Sequence, residues 1–215
     1  MKKHLFLLIF FLGNFCFSQT ELSSLKDSLN FAVQPEVKID LRKKIALELK
    51  LTDWDKAISY IETAEEEAKE IADQELLASV YVTTGKLYYS KDVIDVALEY
   101  YLKAEGIYKE SGNLSEQMSL QNNLAIIYAR LNNIKKATFY FDKVFQYHQD
   151  FKTRDTFKYA SILNNMGTLY LKEDLDSSLV YYNRALDVNH SIKNHMLYAY
   201  IYTNIGRTIY EKDST

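Results

Sequence analysis

The chain has 215 residues, of which 47% are hydrophobic, so it is long enough to bury one or two hydrophobic cores. One proline and six glycines are so few helix breakers that we exclude a fold built on strands and tight turns, and we predict an all-α protein. The formal charge of −3 argues against a surface built to bind nucleic acid.

The first 18 residues have the organisation of a secretory signal peptide. Two lysines precede the apolar run from Leu5 to Leu12, and Cys16 and Ser18 are small residues at −3 and −1 relative to Gln19. The run is too short to span a bilayer comfortably, and no second hydrophobic span follows it. We therefore expect residues 1–18 to be removed and the mature chain, without a membrane span, to be periplasmic or secreted. An uncleaved N-terminal anchor is the alternative.

This cleavage would change the chemistry of the chain. It removes the only cysteine, so the mature protein would have no disulfide and no thiol chemistry. It also removes two lysines and no acidic residue, so the formal charge becomes −5. Residues 19–35 would then form a lead-in with a short helix near Glu21 to Phe31, ended by Pro35.

An eight-residue phrase recurs along the rest of the chain at spacings of 40, 40 and 41 residues. Its small and aromatic residues at positions 0, 3, 4 and 7 fall on one face of a helix. The phrase reads AISYIETA from Ala57, ALEYYLKA from Ala97, ATFYFDKV from Ala137 and SLVYYNRA from Ser178.

A second helical phrase lies between the copies of the first, as NNLAIIY from Asn122, NNMGTLY from Asn164 and TNIGRTIY from Thr203. Each period is therefore predicted to be two helices joined by a short polar turn. A glycine inside a helix costs about 1 kcal/mol relative to alanine, so small residues that recur predict a steric demand where two helices cross. These residues are Gly85, Ala125, Gly167 and Gly206.

The two phrases divide residues 36–211 into about four and a half repeats. Residues 212–215 follow as a short C-terminal end. The predicted helix pairs are Glu36–Ile71, Asp73–Ser111, Leu114–Asp150 and Arg154–Val188, and a lone first helix runs from Lys193 to Glu211.

The repeat resembles the tetratricopeptide repeat in residue types and offsets. The resemblance is carried by Gly85 and Tyr88 with Ala97, Tyr101 and Ala104, and by the same positions of the later repeats. It implies an α-solenoid of antiparallel helix pairs wound into a right-handed superhelix, with the first helices lining a concave groove. The period of 40 exceeds the usual value of about 34, and the family's closing proline is missing, so longer helices are expected.

No arrangement of residues predicts catalysis or metal binding. His190 and His195 lie five residues apart, which does not suit two ligands on one helix face, and His148 adds no motif. The pair Gly85-Lys86 lacks the glycine-rich loop that a phosphate-binding site needs. We therefore predict no enzyme activity, no cofactor and no metal site.

A column of amides is the main candidate for a binding site. Asn123, Asn165 and Asn204 each stand two residues before the small residue of a first helix, and Thr83 takes this place in the second repeat. The resemblance implies that such asparagines hold the backbone of a bound peptide, since a primary amide both donates and accepts hydrogen bonds. The alternative is that each asparagine bonds a neighbouring helix and supports the stack. Both interpretations stay open at this point.

Basic residues follow this column one turn further along the same helices. They predict that the groove prefers an acidic peptide or a C-terminal carboxylate. They are Lys86, Arg130, Lys172 and Arg207.

These observations favour a non-enzymatic, extracytoplasmic scaffold that binds a peptide or a protein. The alternative rests on a second resemblance, to the sensor regions of bacterial signalling proteins with repeats of this length. By that reading, the chain is the N-terminal sensor part of a histidine kinase or transcriptional regulator whose output domain is absent here. The helix from Met196 to Tyr210 is apolar on most faces and has no second helix after it, so we also expect self-association through this helix.

Overall fold

The computed structural model describes residues 21–151 and 156–214, with side chains for 21–147 and 157–214. The predicted signal peptide and its cleavage site therefore lie outside the described residues, as does the side chain of His148. Within the described ranges all regular secondary structure is helical, and none of these helices combines the length and the apolar character needed to cross a membrane.

The helices follow one another as antiparallel pairs joined by short turns. A first helix, α1, covers residues 21–31. The others are α2 (Pro35–Leu49), α3 (Trp54–Glu70), α4 (Gln74–Ser90), α5 (Ile94–Ser111), α6 (Leu114–Arg130), α7 (Ile134–Phe151), α8 (Thr156–Tyr170), α9 (Leu175–Ile192) and α10 (His195–Asp213). The pairs are α2–α3, α4–α5, α6–α7 and α8–α9, followed by α10. The chain divides into two compact units, Met1–Asn113 and Leu114–Thr215.

The ends of the helices are set by interactions between residues that lie close together in the sequence. Pro35 begins α2, where its missing N–H costs nothing because the first N–H groups of a helix have no intrahelical partner. Asp53 and Asp73 cap α3 and α4 by accepting hydrogen bonds from backbone N–H groups of the first turn. Asp174 and Asn194 do the same for α9 and α10, which explains the polar residues of the turns.

In the first unit, α1 packs on the first helix pair. Its three leucines, spaced along one face, lie against the buried Ile45, Leu49 and Ala57. These leucines are Leu22, Leu25 and Leu29. The short helix of the predicted lead-in thus covers apolar surface that the first pair would otherwise expose.

Two of the recurrent glycines, Gly85 and Gly167, are required by aromatic rings of the second helices, whereas a Cβ added at Gly206 would have no described atom within 4 Å. A Cβ added at Gly167 would lie 2.5 Å from Cε1 of Tyr182, and one added at Gly85 would meet the ring of Tyr101. The backbone of Gly167 is also closely approached, since Ser178 Oγ donates a 2.8 Å hydrogen bond to its carbonyl oxygen. The two helices of a pair therefore approach each other closely at these two glycines, as predicted. The tyrosine ring of the second helix fills most of the space that a side chain in place of the glycine would occupy.

Tyrosine rings from the two helices of a pair lie nearly parallel. Tyr88 and Tyr100 have an interplanar angle of 7°, and Tyr170 and Tyr181 one of 11°. The pair Tyr128–Tyr140 repeats this arrangement at 8°. Lys103 and Arg184 extend over Tyr100 and Tyr181 as cation–π contacts. Burial raises the pKa of both Tyr100 and Tyr181.

Candidate functional site

A groove with a cavity of about 410 Å³ lies between α8 and α10 in the second unit. Both are first helices of their repeats, the helices that the tetratricopeptide resemblance places along the concave surface. The lining residues are Phe157, Ser161, Asn164, Asn165, Asn194, Met196, Leu197 and Tyr200. The volume falls within the range of about 300–1,000 Å³ that is usual for ligand sites.

The walls of the groove expose large apolar side chains to solvent. Phe157 is 48% exposed, Tyr200 60% and Met196 70%. Leu197 lies behind them and is buried. Exposed aromatic and thioether groups beside amides form a surface on which an apolar side chain of a partner can pack while its backbone is hydrogen-bonded.

The predicted asparagine column forms part of a hydrogen-bonded ladder between first helices. Asn165 Nδ2 donates to Asn122 Oδ1 at 3.2 Å, and Asn204 Nδ2 donates to Asn164 Oδ1 at 3.0 Å. These bonds have the geometry of the packing alternative, in which an asparagine bonds a neighbouring helix. Each bond needs only one of the two N–H groups of the donor, because a primary amide also has a second N–H and a carbonyl oxygen. The half-buried Asn165 can therefore support the stack and face the groove at once.

Asn123 and Thr83, the other members of the column, differ from Asn165 in their surroundings. Asn123 is half-buried on α6. Thr83 is 5% exposed, and its hydroxyl donates to the carbonyl oxygen of Ser79 one turn earlier, so it offers little to a ligand. Near it, Lys43 Nζ donates to Ser79 Oγ at 2.8 Å.

The four predicted basic residues, Lys86, Arg130, Lys172 and Arg207, are all exposed, and none of them lines the cavity. Arg207 follows Tyr200 by seven residues, so it lies on the same face of α10 two turns further along. Its Nε is 3.9 Å from Glu211 Oε1, which partly offsets its charge.

Sequence reasoning missed several residues of the groove. Asn164 precedes Asn165 and is both a lining residue and the acceptor for Asn204. The signal that could have found it is the doubled asparagine shared by NNLAIIY and NNMGTLY. Phe157, Met196 and Tyr200 carry no repeat signature, so only the structure identifies them.

The rim of the groove is held by hydrogen bonds at the start of α10. Asn194 Oδ1 accepts from the backbone N–H of Leu197 at 2.8 Å, and the carbonyl oxygen of Asn194 accepts from Asn189 Nδ2 at 2.9 Å. Among the described residues no three or more His, Cys, Asp or Glu side chains cluster as a metal site would require. The groove thus offers hydrogen bonds and apolar contacts, which suit non-covalent recognition.

Comparison with known proteins gives a family and a fold. Residues 105–215 match the RNPP family C-terminal domain. The structure is similar to that of BtubC (BKLC) from P. vanneervenii, with a TM-score of 0.75 and 24% identity over 89% of this chain and 82% of that one. A search of curated proteins finds no match.

Two further similar structures are longer proteins. One is a signal transduction ATPase with numerous domains and a tetratricopeptide repeat sensor, from Pyrococcus horikoshii, with a TM-score of 0.73, 17% identity and coverage of 89% of this chain. The other is a Rap protein in complex with Competence and Sporulation Factor, with a TM-score of 0.67, 14% identity and coverage of 90% of this chain. The chain spans only 30% and 59% of their lengths. Together these findings confirm the predicted all-α fold of tetratricopeptide-type helix pairs.

Proposed function

The chain belongs to the RNPP family, whose C-terminal domain covers residues 105–215, and on this premise we propose that it is a non-enzymatic scaffold that binds a peptide or protein segment. The proposed site is the groove between α8 and α10. The protein is proposed to act outside the cytoplasm, because residues 1–18 have the pattern of a signal peptide.

The observation that carries this proposal is the combination of amides and exposed apolar side chains in one groove. Asn165 can pair with a peptide unit whatever side chain that unit bears, since its amide both donates and accepts. Phe157 and Tyr200 then supply apolar contact for a side chain of the bound segment. Main-chain hydrogen bonds contribute affinity, and side-chain pockets contribute selectivity.

The comparisons support a peptide or a protein as the partner. The Rap protein of similar fold was crystallised with Competence and Sporulation Factor, and this chain matches 59% of it. The likeness is at the level of fold, so it guides the class of partner only. We further propose an acidic segment, because two exposed basic residues lie beyond the groove along the chain: Lys172 in the turn that follows α8, and Arg207 on α10.

Selection from a random peptide library displayed on phage, followed by fluorescence anisotropy with the selected peptides, tests the proposal. Replacing Asn165 and Asn123 together by alanine should weaken binding more than tenfold, about 1.4 kcal/mol, with unchanged helicity. Asn122→Ala is the matched control, because it breaks the same ladder bond but leaves the Asn165 amide in place. If Asn122→Ala weakens binding as much as the double variant does, the amides act through packing and the proposed role of Asn165 is wrong.

Peptide charge gives a separate test of the acidic preference. Selected peptides should be enriched in Asp and Glu, and their affinity should fall as salt is raised, because the exposed bases are screened. If the selected peptides were not enriched in acidic residues, the proposed acidic preference would be wrong, but the proposal that the groove binds peptides would be unaffected.

A second candidate function is the sensor part of a larger signalling protein. It is favoured by the similarity to the ATPase with a tetratricopeptide repeat sensor, of which this chain covers 30%. Sequencing the DNA downstream distinguishes the two functions. A membrane helix and a kinase or DNA-binding domain in the same reading frame would favour the sensor.

A further inference from the structure

The two adjacent asparagines of the groove use opposite ends of their amides in the ladder. Asn164 Oδ1 accepts from Asn204 Nδ2 at 3.0 Å, whereas Asn165 Nδ2 donates to Asn122 Oδ1 at 3.2 Å. Neither side chain of the pair has another hydrogen bond with the residues that the structure describes. Asn164 therefore keeps both of its N–H groups for the groove, and Asn165 keeps its carbonyl oxygen and one N–H.

This division of donor and acceptor suits the backbone of an extended segment. One residue of such a segment directs its N–H and its C=O to the same side, as in a hydrogen-bonded pair of an antiparallel sheet. Asn164 Nδ2 can donate to that carbonyl oxygen, and Asn165 Oδ1 can accept from that N–H. Both side chains line the cavity and are half-buried, so a ligand can reach them.

The apolar walls of the groove are a feature of its two helices and not of the repeat. Ten residues before the recurrent small residue, α4 and α6 carry Glu75 and Ser115, whereas α8 and α10 carry Phe157 and Met196. Tyr200 adds a third exposed apolar group beside Met196. Because stacking of the repeats does not require these side chains, we assign them to selection of the ligand.

The distance along α8 relates the amides to the apolar wall. Phe157 lies seven residues before Asn164, which is about 10 Å along a helix axis. An extended chain advances about 3.3 Å per residue, so this distance corresponds to about three residues of a segment that follows the groove. An apolar side chain at that spacing would rest between Phe157 and Met196.

Given the peptide-binding function proposed above, on which this step rests, we propose that the ladder fixes the orientation of both amides, with Asn164 as the donor and Asn165 as the acceptor. The groove then selects an extended segment with an apolar side chain about three residues from the residue whose backbone it holds. Asn204 and Asn122 do not line the cavity, so they are positioning residues. Each holds one amide of α8 in the orientation that the ligand needs.

Substitution of either amide by aspartate tests the two roles, because a carboxylate accepts hydrogen bonds but does not donate them. Asn164→Asp removes the donor and should weaken binding about tenfold or more. Asn165→Asp keeps the acceptor and should change the affinity less than about threefold. Fluorescence anisotropy with an uncharged selected peptide in about 1 M salt, where the Debye length is about 3 Å, limits the effect of the added charge, which both variants share.

The same substitution at the two ladder partners tests the orientation itself. After Asn122→Asp the new carboxylate still accepts from Asn165, so binding should stay within about threefold of the wild type. After Asn204→Asp the donor to Asn164 is lost, so Asn164 must turn its N–H groups to the carboxylate and its oxygen to the groove. Binding should then fall about tenfold, although neither substituted residue contacts the ligand.

The ligand side is tested by scanning a selected peptide. N-methylation should weaken binding most at the one residue whose N–H bonds Asn165, and Asn165→Ala should remove this effect. Alanine substitution should weaken binding most at an apolar residue about three positions away. Phe157→Ala should remove most of that second effect, because the side chain then has no wall to pack on.

Circular dichroism first establishes that each variant is folded. If Asn164→Asp binds like the wild type, Asn164 is not the donor. If Asn122→Asp and Asn204→Asp have equal affinities, the ladder does not orient the amides, and if Asn204→Asp does not fold, Asn164→Asp and the N-methyl scan decide. These results overturn the donor and acceptor assignment alone, whereas a chain that selects no peptide in the groove would overturn the proposed function as well.

Discussion

Replacing Gly167 by alanine should destabilise the second unit, although alanine is the better helix former. The added Cβ would lie 2.5 Å from Cε1, 2.6 Å from Cδ1 and 2.9 Å from Cγ of Tyr182. Tyr182 is fully buried, and its hydroxyl shares a 3.0 Å hydrogen bond with Thr168 Oγ1. The ring is held at both ends, so it cannot move aside without disturbing its neighbours.

Two opposing effects set the magnitude. Alanine in place of a helical glycine stabilises by about 1 kcal/mol. Overpacking a buried site costs about 1–3 kcal/mol, and contacts this short with three ring atoms favour the upper end of that range. The net change in the free energy of unfolding should be a loss of about 2 kcal/mol.

Gly206→Ala is the matched control, because Gly206 holds the same place in the repeat but nothing lies within 4 Å of its added Cβ. This variant should gain about 0.5–1 kcal/mol, so the two substitutions should change stability in opposite directions. Urea unfolding followed by circular dichroism measures both free energies. Equal stabilisation by the two alanines would refute the packing explanation.

A double variant locates the cause of the loss at the tyrosine ring. Tyr182→Leu removes the ring atoms that meet the new Cβ, so Gly167→Ala should cost less in that background than in the wild type. An unchanged cost would show that the backbone of α9, rather than the ring, limits the space.

The other two predictions concern processing and alkaline stability. Export should cleave the chain between Ser18 and Gln19, and an intact mass that still includes Met1 would contradict the predicted signal peptide. Burial raises the pKa of Tyr101, so at pH values above about 10 the unfolded chain releases this proton while the folded chain keeps it. The free energy of unfolding should then fall with rising pH, by up to about 1.4 kcal/mol per pH unit, and Tyr101→Phe should flatten this slope in urea unfolding at several alkaline pH values. An identical slope in the variant would assign the alkaline loss to other groups.

The repeat was readable from the sequence because it depends on local geometry. Residues three, four and seven apart share a helix face whatever surrounds the helix, so the phrase from Ala97 to Ala104 predicts both the helix and its buried side. Turn residues such as Asp174 cap the helix that follows by contacts within a few residues. The fold class and the helix pairs followed from these two signals.

The role of the asparagines could not be predicted from local sequence patterns. Asn164 and Asn165 are neighbours in sequence, but about 100° of helix rotation separates their side chains. Which amide faces the groove and which meets the next helix depends on how α8 is rotated against α6 and α10. That rotation is set by the whole buried core, so the sequence left both interpretations open and missed Asn164.

The recurrent glycines also show which features could be predicted from the sequence and which required the tertiary structure. The recurrence of Gly85, Gly167 and Gly206 predicted a steric demand at one position of α4, α8 and α10. Only the structure shows that Tyr101 and Tyr182 fill the first two positions and that Gly206 is open within the described residues. A sequence repeat shows which positions of a helix carry small residues and which carry large ones, because these residues belong to the helix itself. What packs against these positions depends on residues distant in the chain, or on another molecule, and is decided by tertiary packing.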